Sequence, residues 1–329
     1  MVDSNVLVTF PASDAVRAAI SEAIGSLADV RYLVDLADDA RPAALDSAEV
    51  VMGWMLGVEL QGSEEFARLS GARLVQLLSA GVDQVPLDRV PAGVPLASNA
   101  GAYAGPMAEH VLAMSLALAK HLSQRHAQLQ AGIFDQHSVN REIRGSVVCV
   151  VGYGGIGKAT AKLFRSLGAR ISAITRSGDP EEMVEWVGTL DDLDEALAFA
   201  DVVVLSIPLT RRTRGLIGAR ELSVMKRDAI LVNVARGAIV DEAALYEHLV
   251  AHRTFQVGID TWWEEPRDGE GFSPRFPFVE LENVLGSPHN SGMTAPSFVH
   301  AAREAAENAA RALRHEQVAH LVDRSEYVA

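Results

Sequence analysis

The chain has 329 residues, 49% of them hydrophobic, which is enough for about two domains with sizeable cores. Its formal net charge of −14 argues against nucleic acid or an anionic membrane surface as a partner. The single cysteine, Cys149, allows no disulfide within the chain and no cysteine-based zinc site, and we expect no metal. Cys149 lies in an apolar run, where a packed thiol is expected rather than a nucleophile.

No segment of the sequence has the features of an export signal or a membrane span. The first five residues show neither a basic stretch nor a long apolar one. The apolar segment 107–118 is too short and too interrupted to cross a bilayer. We therefore expect a cytoplasmic protein that does not bind membranes.

Short apolar runs alternate with helical patterns over the first hundred residues, which predicts a parallel sheet. The predicted strands are 6–10, 30–34, 50–55 and 74–78, and the predicted helices are 15–24 and 64–69. After residues 95–98, apolar positions at helical spacing predict one long helix over about 106–131.

A second β-α-β series begins at Val147. Its predicted strands are 147–151, 170–175, 201–205, 229–234 and 255–259, separated by helices at 156–167, 192–199, 218–225 and 242–251. An alanine-rich helix over about 295–314 returns the chain to the first domain. The pattern predicts two α/β domains, residues 1–99 with 295–329 and residues 100–294. We expect a cleft between them, crossed by the helices at 106–131 and 295–314.

A glycine-rich loop, Gly152-Tyr153-Gly154-Gly155-Ile156-Gly157, follows the strand at 147–151 and opens a helix. Its spacing is G-x-G-x-x-G, in which the first glycine allows a tight turn and the second lets the backbone approach a pyrophosphate. The third lets helix and strand pack closely, and the helix N-terminus attracts the phosphates. Within a β-α-β unit this loop, including Gly155 and Ile156, predicts binding of NAD or NADP.

The next predicted strand ends at Thr175-Arg176-Ser177, where an NAD-binding chain has an acidic residue for the ribose 2′-hydroxyl. No carboxylate follows before Asp179. Arg176 and the two hydroxyls suit a 2′-phosphate, so the sequence favours NADP over NAD. The alternative is that Arg176 is solvated and Asp179 bends back to the ribose.

Three later segments place Arg236, Glu265 and His289 just beyond predicted strands, at the edge where open α/β sheets bind ligands. Arginine can grip a carboxylate through two hydrogen bonds and polarise the adjacent carbonyl. Histidine can donate the proton that becomes the hydroxyl, and a nearby glutamate would favour the imidazolium. Together they predict reduction of a 2-keto acid, although each alone could be a structural ion pair, a solvated turn or a surface histidine.

From about Leu74 to Thr294 the chain closely resembles the D-isomer-specific 2-hydroxyacid dehydrogenases. The resemblance implies that Arg236 binds the substrate, that Glu265 partners the acid/base histidine, and that His289 is that histidine. It implies that the backbone amides of the loop at 79–83 bind the substrate carboxylate, and that His110 packs between domains. The further residues that it implies are Ala80, Gly81 and Val82 for the substrate, and Ile207, Pro208, Thr213, Val234, Ala235, Arg236, Asp260, His289, Ser291 and Gly292 for the cofactor.

The same resemblance implies two Rossmann-like lobes, a flavodoxin-like substrate domain and a doubly wound parallel-sheet nucleotide domain. It implies a homodimer formed through the nucleotide domains. The chain is closest in pattern to glyoxylate and hydroxypyruvate reductases, because Thr175 replaces the acidic residue. The family's formate dehydrogenases carry glutamine in place of Glu265, which argues against that activity. The regulatory C-terminal domain of many phosphoglycerate dehydrogenases is not expected.

The predicted function is thus an NADPH-preferring reductase of small 2-keto acids, working toward the D-2-hydroxy acid. The alternatives are NAD-dependent oxidation of a D-2-hydroxy acid in catabolism, phosphite oxidation, and a non-catalytic corepressor scaffold that senses dinucleotides. Trp54 and Met55 are predicted to shape the pocket for the substrate side chain. Core packing is the alternative for Trp54 and an open possibility for Trp262 and Trp263. Arg211, Arg212 and Arg214 are expected in a solvated loop.

Overall fold

The computed structural model describes residues 4–179, 181–266 and 270–327. The chain divides into two units, residues 1–103 with 294–329 and residues 104–293. The prediction made for the N-terminus falls partly on residues 1–3, which lie outside the described residues. No helix in the described ranges is long and apolar enough to cross a membrane.

The first unit contains a parallel sheet with helices on both faces. Its strands are β1 (Asn5–Val8), β2 (Asp29–Tyr32), β3 (Val50–Gly53), β4 (Leu74–Leu77) and β5 (Leu96–Ala97), in the order β2-β1-β3-β4-β5. Successive residues of a strand face opposite sides, so Val6 and Val8 pack in one core and Leu7 in the other. This strand order is the flavodoxin-like one, as predicted.

The helices of this part of the chain are short. They are α1 (Asp14–Ile24), α2 (Arg41–Ser47), α3 (Leu56–Glu59) and α4 (Gly62–Arg68). The hydroxyl of Ser13 accepts a hydrogen bond from the Val16 amide and caps α1, which begins one residue before its predicted start. The sequence pattern did not predict α2. It is fixed by an ion pair, in which Arg41 and Glu65 of α4 bond through two nitrogen–oxygen contacts of 2.8 Å each.

The single long helix predicted over 106–131 is wrong. The structure has α5 (Ala104–Ala119) and α6 (Leu122–Gln130), and His121 between them has a left-handed φ of +53°. The Gln256 side-chain amide donates to the Leu118 carbonyl at 2.9 Å and lies 3.3 Å from Nδ1 of His121. This distant contact fixes the break. No glycine or proline marks it in the sequence.

The second unit is built on a larger parallel sheet. Its strands are β6 (Val147–Val151), β7 (Arg170–Ile174), β8 (Trp186–Gly188), β9 (Val202–Leu205), β10 (Ile230–Asn233), β11 (Gln256–Ile259) and β12 (Val284–Gly286). The order is β12-β11-β10-β9-β6-β7-β8, which contains the doubly wound order of dinucleotide-binding sheets. The five predicted strands are confirmed to within one residue at each end. The short strands β8 and β12 were not predicted.

Helices cover both faces of this sheet. They are α5, which packs against β10 and β11, together with α7 (Gly155–Ser166), α8 (Leu193–Phe199), α9 (Ala219–Val224) and α10 (Glu242–Ala251). Helix α11 (Ser297–Leu313) follows in the first unit. Cys149 lies within β6 and is fully buried. Burial raises the pKa of its thiol to about 12, and the prediction of a thiol packed in the core is confirmed. The strand order reverses between β6 and β9, and ligands bind at such a reversal in open α/β sheets.

Candidate active site

The glycine loop joins β6 to α7 at the point where the strand order reverses. Gly152 has a φ of +95°, and a Cβ there would lie 2.7 Å from the Ile207 nitrogen. A Cβ at Gly157 would lie 2.2 Å from the Gly152 carbonyl oxygen, so both positions require glycine. Around Gly154, apart from its chain neighbours, nothing in the described part of the chain lies within 4 Å of the place a Cβ would occupy. This open space at a helix N-terminus fits the pyrophosphate of a dinucleotide.

The segment after β9 packs against the glycine loop. Ser206 Oγ donates a hydrogen bond of 2.8 Å to the Gly152 carbonyl. Thr213, which is buried, donates to the Pro208 carbonyl at 2.7 Å and accepts from the Thr210 amide at 2.8 Å. The predicted cofactor residue Thr213 therefore holds its own loop together. The three arginines that follow Thr210 are exposed in this loop: Arg211, Arg212 and Arg214.

The segment after β7 forms a turn closed by its own hydroxyls. Thr175 Oγ1 accepts from the Gly178 amide at 2.9 Å, and Ser177 Oγ accepts from the Asp179 amide at 3.3 Å. Arg176 and Ser177 are exposed at the carboxyl end of the strand, and so is Asp179. The turn thus presents a guanidinium and a hydroxyl where an NAD-binding chain has its acidic residue.

A buried asparagine shapes the turn that carries Arg236. Asn233, at the end of β10, donates through Nδ2 to the Arg236 carbonyl at 2.8 Å and accepts at Oδ1 from the Ala235 amide at 3.0 Å. The Arg236 side chain donates to the Ala235 carbonyl at 2.7 Å. Asn233 was not predicted as a site residue. The sequence feature that could have indicated it is an asparagine at a strand end, three residues before the arginine.

The structure brings Glu265 and His289 together. Nδ1 of His289 lies 2.8 Å from Oε2 of Glu265, and Oε1 of Glu265 accepts from the Trp262 amide at 3.0 Å. Partial burial raises the pKa of the Glu265 carboxyl. Two effects outweigh this burial and lower the pKa below its usual range. They are the hydrogen bonds from His289 and Trp262 and the nearby charges of His289 and Arg236. The carboxylate is therefore ionised at neutral pH.

The turn that carries His289 is held by Asp260, which is fully buried. One carboxylate oxygen accepts from Ser287 Oγ at 2.5 Å and from the Asn290 amide at 3.1 Å, and the other accepts from the Ser291 amide at 3.2 Å. The Asp260 carbonyl accepts from the His289 amide at 2.8 Å. Asp260, assigned to the cofactor by the resemblance, thus also builds the loop of the histidine.

Sequence reasoning did not identify Ser287 as a site residue, and the resemblance gave His110 only a packing role between domains. Nε2 of His110 lies 2.9 Å from Ser287 Oγ and 3.8 Å from Oδ1 of Asp260. Because the single hydroxyl proton of Ser287 goes to Asp260, His110 is the donor to Ser287. The two residues are 177 positions apart, so no local pattern could pair them.

The hydroxyl of Ser291, next to this network and beside Gly292, is buried and has no hydrogen-bond partner among the described residues. An unsatisfied buried hydroxyl is costly, so a polar group of a ligand is expected there. With the open glycine loop, the residues present fit a nicotinamide dinucleotide. In the described ranges, no group of three or more His, Cys, Asp or Glu is placed to hold a metal ion.

The predicted substrate residues other than Arg236 belong to the first unit. Trp54 meets Phe298 edge-on, with ring centroids 4.8 Å apart, and Met55 is 46% exposed. The amides of Trp54 and Met55 both donate to the Glu59 carboxylate, which fixes the turn after β3. The predicted substrate loop, Ala80, Gly81 and Val82, follows β4, and Ser79 Oγ donates to the Gly81 carbonyl at 2.9 Å.

Comparison with known proteins identifies the family. The model of the D-isomer specific 2-hydroxyacid dehydrogenase NAD binding domain matches residues 112–291, which include the glycine loop, Arg236, Glu265 and His289. The D-3-phosphoglycerate dehydrogenase of Methanocaldococcus jannaschii is 30% identical over 255 residues, 76% of this chain and 47% of that protein. The chain therefore spans about half the length of that relative.

Shorter relatives are covered more fully. The hydroxypyruvate reductase of Thermotoga maritima is 30% identical over 226 residues, 68% of this chain and 72% of that protein. The D-isomer specific 2-hydroxyacid dehydrogenase of Xanthobacter autotrophicus Py2, solved with NADPH and MES, is 28% identical with a TM-score of 0.78, covering 99% of this chain and 100% of that one. The chain belongs to the family of D-isomer-specific 2-hydroxyacid dehydrogenases.

Proposed function

We propose that the protein reduces small 2-keto acids to D-2-hydroxy acids and prefers NADPH. The observation that carries this proposal is the 2.8 Å pair of His289 Nδ1 and the ionised Glu265 carboxylate. A carboxylate at this distance stabilises the imidazolium and leaves Nε2 as the proton donor. Such a pair beside a dinucleotide loop is suited to protonating a carbonyl oxygen.

The three residues have distinct roles in the proposed reaction. Arg236 binds the keto-acid carboxylate and polarises the adjacent carbonyl. His289 donates its Nε2 proton to the carbonyl oxygen, and Glu265 holds the imidazole in orientation. The glycine loop, the turn Thr175–Ser177 and Ser291 would hold the nicotinamide cofactor, which would supply the hydride. The His289 side chain is 34% exposed, so solvent can return the proton between turnovers.

The preference for NADPH is supported by the turn after β7. It presents Arg176 and Ser177 where a carboxylate would hold the 2′-hydroxyl of NAD. The Thr175 hydroxyl accepts a hydrogen bond from the Gly178 amide. A guanidinium bonded to a phosphate contributes about 1.5–3 kcal/mol, or roughly ten- to a hundred-fold in affinity. The relative from Xanthobacter autotrophicus was solved with NADPH.

The test compares Arg176→Ala with Arg170→Ala, which removes the same charge from the opposite end of β7. We expect Arg176→Ala to lower kcat/KM for NADPH at least about ten-fold and to leave the value for NADH unchanged. Arg170→Ala should leave kcat/KM unchanged for both NADPH and NADH. A wild-type enzyme that uses NADH better, or an Arg176 variant in which both values fall equally, would indicate NAD and a solvated Arg176.

The proposed substrates carry a small, uncharged side chain. Ala80, Gly81 and Val82 supply backbone amides for the carboxylate, and Trp54 and Met55 supply apolar surface. Residues 50–60 contain no lysine or arginine for a phosphate group, and Glu59 is their only charge. We therefore expect turnover of glyoxylate, hydroxypyruvate or pyruvate, and none of 3-phosphohydroxypyruvate.

A panel of keto acids with both cofactors tests the activity itself. His289→Ala should lose at least about a hundred-fold in kcat while binding NADPH as wild type does. Full activity in that variant would refute the assigned proton donor. No turnover of any keto acid would favour the corepressor scaffold, and oxidation of phosphite would favour a phosphite dehydrogenase.

We also propose that the protein is a homodimer through the second unit. The segment 122–139 exposes five large apolar side chains, and α6 buries none of its residues. These side chains are Leu122 (55% exposed), Leu129 (55%), Ile133 (55%), Phe134 (74%) and Val139 (87%). Several exposed apolar side chains within one segment favour an interaction site there. Light scattering should show a dimer that Phe134→Asp dissociates, whereas Val58→Asp, at an exposed apolar residue of the first unit, does not.

A further inference from the structure

Trp262 belongs to the segment that carries Glu265 and contacts the segments that carry Arg236 and His289. Its amide donates to Oε1 of Glu265 at 3.0 Å. Its indole Nε1 donates to the Ser287 carbonyl, two residues before His289, at 2.9 Å. A Cβ at Gly237 would lie 2.4 Å from the Trp262 carbonyl carbon, so the backbone after Arg236 packs directly on this residue.

Packing fixes the orientation of the indole. Trp262 is 8% exposed, and the ring of Phe272 meets it edge-on with centroids 4.7 Å apart. On another side lies Gly286, where a Cβ would be 2.9 Å from Cζ2 of the indole. A buried indole N–H needs an acceptor, and here that acceptor is the backbone just before the catalytic turn.

Hydrogen bonds of Ser287 connect the anchored indole to the turn that carries His289. Its amide donates to the Ile259 carbonyl at 2.9 Å, and its hydroxyl bonds to Asp260, which in turn accepts from the amides of residues 290 and 291. His289 has a left-handed φ of +49°. A non-glycine residue keeps that conformation only when its surroundings hold it. The anchoring of Ser287 is therefore part of what holds the imidazole beside Glu265.

We infer that Trp262 is a positioning residue for the proton donor. Its amide holds the Glu265 carboxylate and its indole holds the segment of His289, so it sets the separation of the pair. This inference deepens the proposed function and rests on it. Displacement of a reacting group by about 1 Å can cost roughly a hundred-fold in rate, so loss of one anchor should appear in kcat.

Trp263 provides a matched control. Its indole Nε1 donates to the Val240 carbonyl at 2.7 Å, and its ring stacks on Phe278 with centroids 5.2 Å apart. Trp262→Phe and Trp263→Phe each remove one indole hydrogen bond and keep an aromatic ring. We expect similar losses of Tm, but only Trp262→Phe should lower kcat, by about ten-fold, with KM for the keto acid unchanged. Equal kcat in the two variants would overturn the inference.

A second measurement needs neither substrate nor cofactor. In the ligand-free protein, the His289 Nδ1 proton shared with Glu265 should give a downfield NMR signal, assigned by its absence in His289→Gln. Trp262→Phe should broaden or shift this signal, and Trp263→Phe should leave it in place. An unchanged signal in Trp262→Phe refutes the positioning role. A changed signal in a protein without keto-acid turnover refutes the proposed function instead.

If Trp262→Phe does not fold, benzothienylalanine at position 262 repeats both measurements. Its sulfur replaces the indole N–H at nearly the same volume, so packing against Phe272 and Gly286 is kept. Loss of kcat and a changed His289 signal in this variant support the inference, and wild-type behaviour in both overturns it.

Discussion

Nδ1 of His289 lies 2.8 Å from Oε2 of Glu265, although 24 residues separate them and they follow different strands. Glu265 follows β11 and His289 follows β12, and the carboxyl ends of these parallel neighbours meet at one edge of the sheet. The lowered pKa of Glu265 means that its carboxylate is charged at neutral pH and is protonated only in acid.

Glu265→Gln should slow reduction while keeping the hydrogen bond to the Trp262 amide. Without the carboxylate charge the imidazolium is less stable, so we expect kcat to fall about ten- to a hundred-fold. Pre-steady-state kinetics would measure this fall. Glu264→Gln, at the exposed neighbour, is the control, and a Glu265→Gln variant as fast as Glu264→Gln would contradict the role of the pair.

Gly157→Ala and Gly154→Ala should separate folding from cofactor binding. The new Cβ at 157 would meet the Gly152 carbonyl, so we expect a loss of about 1–3 kcal/mol in the free energy of unfolding. Gly154 has an ordinary extended conformation and open space around it, so Gly154→Ala should fold as wild type. It should nevertheless bind NADPH more weakly, because the methyl group occupies the approach of the pyrophosphate.

Urea unfolding without cofactor and a fluorescence titration with NADPH would measure the two effects. Wild-type cofactor affinity in Gly154→Ala would show that the dinucleotide does not lie along this loop.

His248 should make the protein less stable in mild acid. Burial, with the ring of His252 4.4 Å away, lowers the pKa of its imidazole to about 4. The unfolded value is about 6.5, so the contribution of neutral His248 is complete above that pH and is lost as pH falls from 6.5 toward 4. Urea unfolding at several pH values should show His248→Phe losing less stability than wild type over this window.

His300→Gln is the matched control, because His300 is 60% exposed and pairs with Glu304 on the surface of α11. If wild type and His248→Phe respond to pH in parallel, another group causes the acid sensitivity.

The fold could be predicted where apolar runs were long and glycines were diagnostic. Strand β6 and the glycine loop were located because five apolar residues lead directly into the G-x-G-x-x-G spacing. Strands β8 and β12 have three residues each, too few for a periodic signal. The break at His121 depends on Gln256, 135 residues away, and no local pattern contains such a contact.

In the candidate site, too, the sequence indicated local motifs but not the contacts between distant residues. Arg236, Glu265 and His289 were found because each follows a strand in a motif with chemical meaning. Of the residues that fix their geometry, Ser287 was visible only as part of a motif, and Trp262 was noted only as a residue that could pack in the core. Their role depends on which atoms meet across the ends of β10, β11 and β12, and that is a property of tertiary packing.

The order of strands in the second unit separates two kinds of evolutionary change. Arg236, Glu265 and His289 follow β10, β11 and β12, whereas Arg176 follows β7 on the other side of β6. Under the proposed roles of these residues, substitutions that exchange one nicotinamide coenzyme for the other can accumulate without touching a strand that carries proton chemistry. A lineage with this architecture could change its redox partner while keeping its substrate reaction.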